Sequence, residues 1–121
     1  MPSTLRDICF DCADQTALAG FWAEVLGYEL RPSHPGPEDP VVIIPPDASG
    51  LRIWFNKVPE PKISKNRVHI DVNMTDGDEM ARLEQLGARQ VREIRDDAGT
   101  LHWTIMADPE GNEFCAFPPR D

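Results

Sequence analysis

The chain is poor in cysteine, poor in basic residues and without a long apolar run, and each scarcity closes off a class of protein. Its cysteines, Cys9, Cys12 and Cys115, are odd in number, so a complete disulfide framework is excluded. Lysine and arginine total 12 against 21 acidic residues, giving a formal charge of −9. Nucleic-acid binding needs a basic patch, so no nucleic-acid partner is expected, and no anionic membrane surface either. No apolar run approaches the length of a membrane span. Met1-Pro2-Ser3-Thr4-Leu5-Arg6 lacks the core of a signal peptide, so a cytoplasmic location is expected. At 121 residues and 40% hydrophobic content, one domain over 1–121 is expected, large enough for a core without staples.

What the sequence does contain is the same pattern twice. Asp7-Ile8-Cys9-Phe10-Asp11-Cys12 alternates like a half-buried strand and leads, through a capping Asp14, into a helix ending at Leu26-Gly27-Tyr28. His69-Ile70-Asp71-Val72-Asn73 leads through Asp76 into a helix ending at Leu86-Gly87. Asp7 and His69, like Asp14 and Asp76, stand 62 residues apart. The first helix carries Leu18, Phe21, Trp22, Val25 and Leu26 at amphipathic spacing, which assigns Phe21 and Trp22 to a core. The second carries Met80, Leu83 and Leu86, and Asp76 with Glu79 has capping-box spacing. Strands are expected over 5–12, 41–44, 51–55, 67–73, 90–94, 101–107 and 112–117. A loop is expected over Ser33–Pro40 and turns over Pro46–Gly50 and Asp108–Gly111. The fold class is α+β: two strand–helix–strand–strand–strand half-modules, about 4–57 and 66–119, joined by a proline-rich linker, 58–65.

Alternation gives each strand a polar face. Asp7, Cys9 and Asp11 share one, His69, Asp71 and Asn73 another, with Arg52, Trp54 and Asn56 and then Glu113, Cys115 and Phe117 on the remaining two. Val68, Ile70 and Val72 form the aliphatic face opposite His69 and Asp71. If the halves combine their polar faces, they form a curved mixed sheet whose concave cleft holds Asp7, Cys9, Arg52, Trp54, His69, Asp71, Glu113, Cys115 and Phe117. Trp54 and Phe117 would supply its apolar wall. Cys9 and Cys12 form a Cys-x-x-Cys, but they fall on opposite faces of a strand and no second ligand pair is at hand, so neither zinc nor redox chemistry is expected of them.

Three segments carry a family likeness: Phe21–Tyr28, Asn66–Val72 and Asp108–Cys115, the last containing Asp-Pro-Glu-Gly-Asn. With them the chain resembles the vicinal oxygen chelate superfamily, which includes glyoxalase I, extradiol dioxygenases, fosfomycin-resistance transferases and bleomycin-resistance proteins. It is most similar to that group's glyoxalase-like domain branch. The resemblance implies paired βαβββ modules, a small-molecule ligand or substrate and a homodimer. The family's metal positions map onto Asp7, His69 and Cys115, with Trp54 at a fourth place where no ligand is available. Two readings follow. In the first, no metal or other cofactor is used, and the cleft holds an aromatic or amphipathic compound, with Asp7, Asp71 and Glu113 attracting a cationic group. In the second, a divalent metal (Zn²⁺, Ni²⁺ or Mn²⁺) at Asp7, His69 and Cys115 serves a glyoxalase-like lyase or isomerase. A variant of the second makes Cys115 a nucleophile activated by His69.

Overall fold

Two short-range signals start the first half of the structure. The Asp14 carboxylate accepts a hydrogen bond from the Ala17 N–H at 3.0 Å, and Gly27 closes the same helix in the left-handed conformation at φ 68°. Between them lies α1 (Gln15–Leu26), preceded by β1 (Ile8–Cys12) and followed by β2 (Glu29–Pro32), β3 (Val41–Ile44) and β4 (Ile53–Lys57). The computed structural model describes residues 1–32, 39–47 and 50–119. The expected loop Ser33–Pro40 thus lies mostly outside the described residues, and so does part of the turn Pro46–Gly50. The strands form a mixed sheet in the order β1-β4-β3-β2, with β1 parallel to β4. Leu18, Trp22, Ile43, Ile53 and Phe55 are buried on its helix-covered face, where Phe10 meets Phe55 at 5.2 Å and Trp22 at 5.9 Å between ring centroids. Buried Gln15 ties helix to sheet by accepting the Lys57 N–H.

The chain divides into two units, Met1–Pro61 and Lys62–Asp121, at a boundary inside the expected linker. The second repeats the order with β5 (Asp71–Asn73), α2 (Glu79–Leu86), β6 (Arg89–Arg95), β7 (Leu101–Ala107) and β8 (Glu113–Phe117). Its sheet runs β5-β8-β7-β6, again with its first strand parallel to its last. Leu83, Met106, Phe114 and Ala116 fill its core. Each unit is therefore a βαβββ module of α+β class.

Three expectations need correction. The strand expected over 67–73 is confined to Asp71–Asn73, and Val68 is 81% exposed instead of packed. The Asn66 side chain explains this: its Oδ1 accepts the Glu113 N–H at 2.7 Å and its Nδ2 donates to the Glu113 carbonyl at 3.0 Å. A side chain thus takes the place that a strand backbone would hold beside Glu113. Asp76 does not cap α2. It accepts the Asp78 N–H at 2.8 Å, and the helix starts at Glu79 with no side-chain cap. The strand expected from residue 5 begins at Ile8, leaving Leu5 71% exposed. In addition, β2 is a strand the periodicity did not mark.

Thr104, 1% exposed in the core of the second unit, is buried with no partner for its hydroxyl among the described residues. Thr104→Val removes that unsatisfied group at nearly constant shape, and is expected to stabilise the protein by about 1 kcal/mol. The urea midpoint should rise at unchanged slope; a fall would mean that the hydroxyl is bonded in solution.

Candidate functional site

The site is organised by the turn between β7 and β8. Asp108, 3% exposed, accepts the N–H groups of Glu110 at 2.9 Å and Asn112 at 3.0 Å, and the Asn112 side-chain amide at 2.9 Å. Gly111 adopts φ 85°, a conformation that costs other residues strain. This bonded turn sets the register of β8. Cys115 then falls opposite Asp71 on one side and Ile105 on the other. Alternation puts Glu113, Cys115 and Phe117 on that face of β8, and Trp103 and Ile105 on the same face of β7.

These residues line a pocket of about 390 Å³ in the second unit. One wall is aromatic: the Trp103 and Phe117 rings lie 5.7 Å apart at 32°. The other is polar, made by His69, Asp71, Cys115, Glu113 and Lys65. Of the residues expected at a cleft, the fold therefore brings together His69, Asp71, Glu113, Cys115 and Phe117. Trp103 and Lys65 were not singled out. Strand alternation over 101–107 could have marked Trp103, but Lys65 lies in an irregular segment with no local signal.

The remaining candidates belong to the first unit. Asp7 accepts hydrogen bonds from Arg52 Nε at 3.2 Å and Nη2 at 3.5 Å, and faces Arg6 at 3.6 Å. Arg52 in turn lies 5.9 Å over the Trp54 ring. Cys9 is exposed and in register with Trp54. Asp7 is thus the acceptor of a charged pair within the first unit, and within the second unit the carboxylate gathered with His69 and Cys115 is Asp71.

One donor atom each of His69, Asp71 and Cys115 lie within 4.8 Å of one another. His69 Nδ1 is 3.0 Å from Asp71 Oδ1. An ionised carboxylate only accepts, so Nδ1 carries a proton, and in the neutral imidazole Nε2 keeps its lone pair for a ligand. The Cys115 thiol is pushed above its ordinary value of 9.0, first by burial, then by the Asp71 charge and by donating a hydrogen bond to Asp71. Lys65 opposes these effects and Glu113 reinforces them. Burial and the Asp71 carboxylate thus both favour the protonated form of Cys115. For the nucleophile variant, His69 and Lys65 are the base and cation at hand, and they would have to outweigh burial and Asp71, which favour the protonated thiol.

The glyoxalase-like domain family matches residues 7–117. No curated protein matches the chain in sequence. Among solved structures, the fosfomycin resistance protein FosX from Listeria monocytogenes, complexed with Mn(II) and 1S,2S-dihydroxypropylphosphonic acid, is 17% identical with a TM-score of 0.72. The alignment covers 99% of this chain and 93% of that one. A glyoxalase-related enzyme from Fulvimarina pelagi is 20% identical with a TM-score of 0.64, covering 97% and 88%. A glyoxalase/bleomycin resistance protein/dioxygenase family enzyme from Burkholderia phytofirmans PsJN is 15% identical with a TM-score of 0.63, covering 98% and 100%. At such identities the likeness is one of fold, and it joins the family match on one answer. The chain belongs to the glyoxalase-like domain family, within the vicinal oxygen chelate superfamily.

Proposed function

We propose that this chain binds a small aromatic or amphipathic molecule in the pocket of its second unit. The observation that carries this reading is the Trp103–Phe117 wall facing a polar edge across a single pocket. Small-molecule sites combine an apolar lining with a few convergent polar groups, and about 390 Å³ lies at the small end of their range. A ring laid against Trp103 gains buried apolar area and stacking, while His69 Nε2 accepts a hydrogen bond from the ligand. A ligand screen read by tryptophan fluorescence tests this. Trp103→Ala should weaken any true ligand by roughly 30-fold, or about 2 kcal/mol. Affinity retained within about twofold by a variant with unchanged circular dichroism would sink the reading, since the factor is far below the expected one.

A second reading is favoured by one observation, the convergence of His69, Asp71 and Cys115. FosX from Listeria monocytogenes was solved with Mn(II). Here the donor set is nitrogen, oxygen and sulfur, which suits Zn²⁺ better than the hard-ligand octahedral preference of Mn²⁺. Three such side chains can hold that ion with a position left open. When bound, it would polarise a substrate oxygen as a Lewis acid. Glu113, on the Cys115 face of β8, would be the carboxylate available to move a substrate proton.

A further inference from the structure

We infer that the pocket of the second unit takes a zwitterion, an α-amino acid or close derivative with an aromatic side chain. This rests on the binding reading above and names its ligand class. The argument starts from two opposite charges that line one pocket without pairing. Lys65 and Glu113 both border it. Among the described residues neither side chain has an ion-pair or hydrogen-bond partner. Asp71, by contrast, already serves His69 and the Cys115 thiol.

The backbones that carry the two charges are held beside each other. Asn66, the residue after Lys65, grips Glu113 through both its backbone N–H and its carbonyl. The two residues are thereby tethered within one bonded segment, and both charges act on the same Cys115 thiol, with opposite sign. Unpaired surface charges are common, and among the described residues Arg67, Arg89 and Arg92 are others in this unit. Lys65 and Glu113 differ in sharing a pocket whose far wall is aromatic. Their complement is one molecule carrying a carboxylate for Lys65, an ammonium for Glu113 and a ring for Trp103 and Phe117. A volume of about 390 Å³ accommodates a ligand with one ring system.

Calorimetry on the full chain with four matched probes tests the inference: L-phenylalanine, 3-phenylpropionate, 2-phenylethylamine and 2-phenylethanol. L-Phenylalanine should bind about tenfold more tightly than either singly charged analogue. Lys65→Gln should reduce it to the level of 2-phenylethylamine, and Glu113→Gln to that of 3-phenylpropionate. Both changes are at surface or half-buried positions and keep the side-chain shape close. Equal binding of 2-phenylethanol and L-phenylalanine would overturn the zwitterion and leave the binding reading standing. So would failure of all four probes while the fluorescence screen yields a ligand dependent on Trp103. Failure of the probes and the screen together would overturn both.

Discussion

Trp22→Ala is expected to cost about 3–5 kcal/mol, a large share of the stability of a domain this size. Trp22 is 1% exposed, with Phe21 edge-on at 5.2 Å and Phe10 at 5.9 Å. A buried indole removes on the order of 200 Å² from water, about 5 kcal/mol at 25 cal/mol per Å², an upper bound because denatured chains already bury some of it. The loss is set by how far Phe10, Phe21 and Phe55 can close over the cavity. Those rings are fixed by the β1–β4 register and by α1, so closure will be partial. Urea denaturation should show a midpoint shift of that size. A loss below about 1 kcal/mol would mean that the helix does not bury this face.

The reach of the sequence differs from element to element, for physical reasons. Helix α1 was legible because its stripe, its Asp14 cap and its Gly27 stop are all local. The buried pattern of Leu18, Phe21 and Trp22 followed from spacing alone. Strand β2 was not legible: Glu29-Leu30-Arg31-Pro32 becomes a strand through its pairing with β3, which no local pattern announces. Residues 67–70 alternate as a strand should, yet the Asn66 amide takes the bonds to Glu113 and leaves Val68 in solvent. At the site, His69, Asp71, Glu113, Cys115 and Phe117 were named from alternation. Trp103 enters only through the register that sets Ile105 against Cys115, and Lys65 through the path of an irregular segment. Alternation fixes which side of a strand a residue faces. Which strands lie side by side is a property of the assembled sheet.

If the metal reading holds, Zn²⁺ affinity is expected to rise about tenfold per pH unit between about pH 7 and 9 from Cys115 alone. His69→Ala and Cys115→Ser should each weaken binding by roughly 100-fold or more. The sign follows from the thiol. Its pKa is raised above the ordinary 9.0, chiefly by burial, so below that value the group is protonated. A metal takes the thiolate, so each ion bound must release the Cys115 proton, and higher pH favours release. Cys115→Ser should remove that proton from the titration and flatten the slope. Without metal the same shift acts on folding. The folded chain holds the Cys115 proton more tightly than the unfolded chain, so this contribution is complete below the ordinary thiol value. It is lost as pH rises through 9.0 toward the raised value. Calorimetric titration with Zn²⁺ at several pH values separates the two readings of the pocket. Stoichiometric binding with the Cys115-dependent slope assigns His69, Asp71 and Cys115 to a metal. No binding at any pH would retire the metal reading and leave Asp71 as the acceptor of His69 Nδ1 and one of the groups that favour the protonated thiol.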